Sequence, residues 1–324
     1  FANALNGALA AGRPTVDGPA VSRAARNGRA VAERERLVAA GALPRALGEL
    51  LTLPTFTGFV TTTPVPGTTF EMLLCDRDDG IALRCFWHGV YEPSSSALIA
   101  ALGHDAERIV DIGAHTGYFT LLAAHVAPRA QIIAVEPDAA HLARLALNAR
   151  ANACPNIAVV RAAAADVNGR GQLRNDAPEG YLSSVGRLTD DDGLATGQLV
   201  PTLVLDGFLT KERRPTALIK CDTEGSEQAA LMGCAQTLRR DRPHLVIECN
   251  RPAPWRDIEA LLRALEYRFW QIDETAPQLT EVSGLATAAG AGETPERFRN
   301  RLASPMPFAA LVARLPTFEF IPLD

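Results

Sequence analysis

The sequence predicts an α/β fold, a mostly parallel sheet with helices on both faces, and three observations carry that prediction. Short runs rich in β-branched residues recur at Arg108–Ile112, Gln131–Val135 and Ile157–Val160. Helical stretches alternate with them, at Gly117–Val126 and Ala139–Ala151. The intervals supply the crossover of about a dozen residues that parallel neighbours require.

Read in order, residues 1 to about 53 are Ala-rich and helical, with many charges between Ala20 and Ala40, and are punctuated by Pro44 and Pro54. Thr55–Thr69 is rich in Thr, Gly and Pro and reads as a connector or an irregular strand pair. Phe70–Cys75 and Ile81–Trp87 flank Asp78, Asp79 and Gly80, which predicts a hairpin. Ser94–Leu102 follows Pro93 as a helix. Beyond the three strands, Leu203–Leu209 is a helix or turn, and Ala217–Cys221 a fourth strand. A helix from Ser226 to about Leu238, a strand at His244–Glu248 and a helix at Ile258–Leu265 continue the rhythm. Tyr267–Ile272 and Phe308–Val312 are expected to close the sheet as a strand pair. Residues 273–307 between them are polar and Gly/Ala-rich, and read as a long insert without a core pattern. The expected division is a helical extension and connector over 1–65 and a catalytic domain over 66–324.

Composition narrows the function. Of 324 residues, 47% are hydrophobic, enough for a sizeable core, and the formal net charge is −5. No basic stripe is present to engage phosphates, so nucleic acid is not an expected partner; Arg239, Arg240 and Arg242 suit a helix C-terminus. The six cysteines contain no Cys-x-x-Cys pair and read as reduced thiols, with neither a disulfide framework nor a metal site. No apolar run reaches the roughly 20 residues of a membrane span. Phe1–Ala11 is weakly apolar but has no basic segment before it, a poor signal peptide. The expectation is a cytoplasmic protein with no membrane partner.

The strongest local pattern is Val110-Asp111-Ile112-Gly113-Ala114-His115-Thr116-Gly117. A buried strand ends in an acid and a Gly-containing turn, then opens a helix. Gly113 lets the backbone pass close to a ligand, and Gly117 permits tight helix–sheet packing. Ala114, His115 and Thr116 offer backbone contacts. A dinucleotide site would have Gly-x-Gly-x-x-Gly with a helix N-terminus aimed at pyrophosphate. This loop reads Gly-x-x-x-Gly, and Asp111 would repel pyrophosphate. It suits a ligand with cationic groups, such as the amino group and sulfonium of S-adenosylmethionine.

The second strand ends in Glu136-Pro137-Asp138, and a carboxylate there can accept hydrogen bonds from both ribose hydroxyls. Small residues after the third strand, Ala163 among them, are placed to border an adenine. The fourth strand runs Ile219-Lys220-Cys221-Asp222-Thr223-Glu224-Gly225, which puts Lys220, Asp222 and Glu224 where the transferred group would face. Glu248 and Asn250 end the fifth strand and are candidates to line an acceptor pocket.

With these residues in view, the chain resembles the FkbM-type methyltransferases, class I enzymes that use S-adenosylmethionine. The likeness is carried by Ile109–Thr120, Val135-Glu136-Pro137, Ile219–Gly225, the upstream Gly89-Val90-Tyr91-Glu92-Pro93, and Leu205-Asp206-Gly207-Phe208-Leu209. It spans roughly residues 70 to 250. His115 stands where the family usually has Asn, and Cys221 and Thr223 replace aliphatic residues. The resemblance implies a Rossmann-like sheet of seven strands and O-methylation of a hydroxyl or carboxylate on a small-molecule metabolite or sugar. S-adenosylhomocysteine would be the product. It implies binding of the cofactor by Asp111, Gly113, Ala114, His115, Thr116, Gly117, Glu136, Pro137, Ala163 and Asp222. Asp222, Glu224 and Lys220 are the catalytic candidates, and Glu92, Glu248 and Asn250 the acceptor-binding ones. The N-terminal helices either pair two copies in a homodimer or cover the cofactor. The competing reading is a non-catalytic adenosyl-binding module whose N-terminal helices dock a partner. A nicotinamide-dependent oxidoreductase is disfavoured by the Asp111 loop.

Overall fold

The computed structural model describes residues 22–175, 182, 186–189, 197–249, 255–285 and 295–323. The chain divides into two compact units, residues 1–91 with 175–185, and residues 92–174 with 186–324.

In the first unit, helix α1 (Arg23–Ala39) begins at Ser22, whose Oγ accepts from Ala25 N at 3.2 Å. A short helix α2 (Leu47–Leu50) follows. Strands β1 (Phe56–Val65) and β2 (Thr68–Asp76) form an antiparallel pair whose register shifts between Thr62 and Val65, so of the two expectations for Thr55–Thr69 the irregular strand pair is the one observed. Asn27 ties α1 to β1 twice, its Nδ2 donating to Thr57 O (2.8 Å) and its Oδ1 accepting from Thr57 N (3.0 Å).

The hairpin expected around Asp78–Gly80 does not form. Residues Gly80–His88 are helix α3. Asp79 Oδ1 accepts from Ile81 N (2.8 Å) and Ala82 N (3.1 Å), which caps the first turn. Gly89, at φ 81°, ends the helix and donates to Cys85 O at 2.9 Å. An apolar run of this length satisfies strand and helix alike, and the caps decide for helix.

The second unit opens with helix α4 (Pro93–Gly103), then alternates β3 (Arg108–Ile112), α5 (Tyr118–Val126), β4 (Gln131–Val135), α6 (Ala139–Ala151) and β5 (Ile157–Val160). Next come β6 (Ala163–Ala164), β7 (Gly169–Asn175), β8 (Gly186–Thr189) and β9 (Gln198–Leu203), which make a separate four-stranded sheet. Helix α7 (Asp206–Leu209) leads to β10 (Thr216–Cys221), α8 (Glu227–Met232), α9 (Ala235–Asp241), β11 (His244–Glu248) and α10 (Arg256–Ala264). Strands β12 (Arg268–Asp273), β13 (Gln278–Val282) and β14 (Asn300–Ser304), helix α11 (Phe308–Arg314) and strand β15 (Glu319–Ile321) complete the chain.

Among the described residues the main sheet has nine strands where seven were expected, in the order β15-β13-β12-β14-β11-β10-β3-β4-β5. Strands β5, β4, β3, β10 and β11 are mutually parallel; β14 runs antiparallel between β11 and β12. All five residues of β3 are buried. Successive side chains point to opposite faces, so both faces are covered there. Leu231, Leu238, Ile258 and Leu262 of the helices pack with Ile219, Leu245 and Ile247 of the strands as one core.

Two expectations near the C-terminus fail. Phe308–Arg314 is a helix, not a strand, and the partners of β12 are β13 and β14. The segment 273–307 is not a bare loop: β13 and β14 lie in it, and every residue of β14 is buried. Its polar composition hides this because several of its polar groups find partners inside the protein. Asn300 Nδ2 donates to Glu274 Oε1 (3.0 Å), Arg301 Nη1 to Phe298 O (2.6 Å), and Ser304 Oγ lies 2.9 Å from His244 Nδ1. Among the described residues, no helix is long and apolar enough to cross a membrane.

Candidate functional site

The strand order reverses between β3 and β10, since β3 continues to β4 and β5 on one side while β10 and β11 lie on the other. Such a switch point opens a crevice at the carboxyl ends of the strands. Asp111, Asp222 and Glu248 lie at the ends of β3, β10 and β11, and Glu136 follows β4.

Asp111 is 3% exposed, and its Oδ2 accepts from Thr120 Oγ1 at 2.6 Å. Burial pushes its carboxyl up to about 6, against the Thr120 hydrogen bond and the Lys220 charge, which pull it down. Gly113 has φ 80°, and a Cβ built there would lie 1.7 Å from the carbonyl oxygen of Asp222. Only glycine fits, and this lets the exits of β3 and β10 touch; Asp222 N donates to Ile112 O at 2.9 Å. Gly113 N and Ala114 N both donate to Val135 O, at 2.9 and 3.1 Å, which fixes the loop to β4. Gly117, at φ 99°, packs against Leu145, to whose Cγ an added Cβ would come within 2.9 Å. Thr116 is buried, and its carbonyl accepts from Asn148 Nδ2 at 2.8 Å.

Glu136 is buried beside this loop. Its Oε2 accepts from His115 N (3.0 Å) and its Oε1 from Asp138 N (2.9 Å). His141, on the first turn of α6, brings Nδ1 to 3.3 Å from Oε1, and its ring lies 4.1 Å from the His115 ring. Pro137 is half-buried between Glu136 and the capping Asp138.

Lys220 is in register with Asp111 across the β3–β10 pair. The lysine is 2% exposed, with Nζ 3.0 Å from Asp222 Oδ2 and 5.0 Å from the centroid of the Phe119 ring. Burial alone would lower its pKa, but the charges of Asp222, Glu92 and Glu248 hold it raised, so it stays a cation. Burial pushes the Asp222 carboxyl up, yet the Lys220 charge and a hydrogen bond from Glu248 outweigh this and hold it below the ordinary value. The Glu248 carboxyl goes the other way: burial, then the charges of Asp222 and Glu224, push it well above its ordinary value. The two carboxyls share a hydrogen bond and shift in opposite directions. One oxygen each of Asp222, Glu224 and Glu248 fall within 4.8 Å of one another. Glu224 sits at φ 56° in a turn shaped by Glu227, whose Oε1 accepts from Thr223 N and Gly225 N, each at 2.9 Å. Glu92 is the residue before α4.

Lys220, Asp222, Glu224, Glu248 and Glu92 therefore act on one another electrostatically, with Asp111 alongside. Ala163 is packed otherwise, its side chain clustering with Leu173 and Val200 of the small sheet. Asn250 lies outside the described residues. Four contributors escape a sequence reading: Thr120, Phe119, His141 and Glu227. Thr120 carries a faint signal, being a hydroxyl on the buried face of the helix that the Asp111 loop opens; the others carry none.

The carboxylates of Glu136, Asp111 and Asp222 gathered at this crevice fit the ribose hydroxyls and cationic groups of an S-adenosylmethionine molecule, and Gly113 lets the β3 and β10 exits close on one another beside them.

Residues 111–269 match the model of the methyltransferase FkbM domain. No curated protein sequence matches the chain. Among solved structures, it is similar to a methyltransferase FkbM from Methylobacillus flagellatus KT (19% identity, 62% of this chain and 44% of that one, TM-score 0.40). It is similar also to the fibrillarin of Aeropyrum pernix, solved with natively bound S-adenosyl-L-methionine (12%, 65% and 73%, TM-score 0.37). A third is an rRNA methylase from Streptococcus thermophilus (11%, 64% and 91%, TM-score 0.35). The chain spans less than half the length of the first of these.

Proposed function

We propose, starting from the match of residues 111–269 to the methyltransferase FkbM domain, that the chain is an S-adenosylmethionine-dependent O-methyltransferase acting on a hydroxyl of a small-molecule metabolite or sugar. The observation that carries the reading is the line of acids at successive strand ends. Asp111 and Glu136 would hold the cofactor, and Lys220, Asp222 and Glu248 stand beside them on the next two strands of the reversed order.

When bound, S-adenosylmethionine supplies a methyl group already activated on sulfonium. The protein's own task is then to position the acceptor and take its proton. Oriented reactants gain up to about 7–11 kcal/mol in model systems. Asp222, held ionised by Lys220, accepts the hydroxyl proton as general base, a contribution of about 10²–10⁴-fold. Glu248 donates a hydrogen bond to Asp222 and fixes its orientation.

The charge of the site favours a neutral hydroxyl over a carboxylate. Asp222, Glu224 and Glu92 face a single cation, Lys220, so an anionic acceptor would be repelled. The same acids, with the net charge of −5, disfavour phosphate-rich nucleic acid. The test is incubation of the chain with methyl-labelled S-adenosylmethionine and fractionated metabolite extracts. The reading expects label in a neutral, hydroxyl-bearing product; label recovered only in RNA or in methyl esters rejects it.

A further inference from the structure

Two imidazoles crowd the carboxylate of Glu136. A carboxylate offers about four lone-pair sites and, when ionised, can only accept. Three are taken within the protein. His115 N fills one on Oε2; Asp138 N and His141 Nδ1 fill both on Oε1, at 2.9 and 3.3 Å. Because Nδ1 faces an acceptor, it carries the ring proton. The ring cannot swing away freely. It is 4% exposed, its helix turn is capped by Asp138, and the His115 ring lies against it at 4.1 Å with a 50° tilt.

We propose that His141 is a positioning residue that leaves Glu136 one open lone pair, on Oε2, so that Glu136 recognises a single ribose hydroxyl of the cofactor instead of both. The assignment rests on the proposed use of an adenosyl cofactor. It revises the expectation that a carboxylate at this strand end serves both hydroxyls. Oε1 becomes a fixed structural oxygen, and the second hydroxyl must find its partner elsewhere or stay solvated.

The test is calorimetric titration of the full chain with S-adenosylhomocysteine and with its 2′-deoxy and 3′-deoxy analogues. Wild type should lose about tenfold in affinity for one deoxy analogue, the scale of one hydrogen bond to a charged group, and little for the other. His141→Ala frees the second site on Oε1, so both deoxy analogues should then bind more weakly than the parent. His141→Asn, which keeps an N–H donor at the δ position, should restore the wild-type pattern. Equal losses for both analogues on wild type overturn the proposal, and need no variant to fold. So does an His141→Ala protein in which all three ligands weaken equally, which is what a purely structural role predicts. Failure of wild type to bind S-adenosylhomocysteine at all overturns the cofactor reading, and this assignment with it.

Discussion

Lys220 Nζ lies 3.0 Å from Asp222 Oδ2, although the lysine is only 2% exposed. Removing one partner of such a pair leaves an uncompensated charge. Lys220→Met should cost about 3 kcal/mol in stability, measured by urea denaturation at pH 7. A sign argument makes the measurement sharper. Asp222 has its folded pKa depressed, so the stability it contributes is present above the unfolded value near 4 and is lost as pH falls below it. In Lys220→Met that acid-side loss should be smaller, because the cation that depresses the pKa is gone. An unchanged acid limb would sink the pairing.

Gly113→Ala should abolish cofactor binding. The new Cβ would meet the Asp222 carbonyl oxygen at 1.7 Å, and the neighbour is backbone that cannot step aside. The φ of 80° adds strain for any L-residue. Circular dichroism and S-adenosylhomocysteine titration check this together. Retained binding at wild-type affinity would show that the β3 and β10 exits are not locked.

Asp111 is held at a stability cost. Its folded pKa is raised to about 6 by burial, so its contribution is most favourable at low pH and is lost as pH rises from about 4 through 6. Asp111→Asn keeps an acceptor for Thr120 and removes the titration. The variant should match wild type near pH 4 and exceed it above pH 6, by on the order of 2 kcal/mol. It should also lose cofactor affinity. Denaturant midpoints across pH 4–8 give the comparison; parallel curves would contradict it.

Glu274 holds a helix 180 residues away in sequence. Its Oε2 accepts from Ser94 N at 3.0 Å and Ser95 N at 3.2 Å, and its Oε1 accepts from Ser95 Oγ and from Asn300 Nδ2. Ser94 N and Ser95 N are first-turn donors of α4 that no intrahelical carbonyl can satisfy. Glu274→Ala should destabilise the fold by about 1–3 kcal/mol and leave affinity for S-adenosylhomocysteine near wild type. A large loss of affinity with unchanged stability would move Glu274 into the site.

How much of this was legible depended on whether the signal was local. The placement of Asp111, Gly113 and Glu136 at the crevice was readable because each sits at the junction of an apolar strand and a turn. Lys220, Asp222 and Glu224 were readable for the same reason. What each does was not. The opposite pKa shifts of Asp222 and Glu248 come from two strands meeting side by side, and His141 reaches Glu136 only through the geometry of the turn between β4 and α6. Strand β14, Asn300–Ser304, looked like loop because its end residues Asn300 and Ser304 pair with Glu274 and His244, both remote in sequence. The misread run Ile81–Trp87 did carry a local clue: Asp79 and Gly89 are spaced as helix caps.

The central claim is that the crevice between β3 and β10 holds an adenosyl methyl donor through Asp111 and Glu136. Calorimetric titration of the full chain with S-adenosylhomocysteine, repeated on Glu136→Ala and again with NAD, tests it most directly. The account predicts saturable binding of S-adenosylhomocysteine by wild type, a loss of at least about tenfold in Glu136→Ala, and no heat with NAD. Binding of NAD, or affinity for S-adenosylhomocysteine indifferent to Glu136, would contradict it.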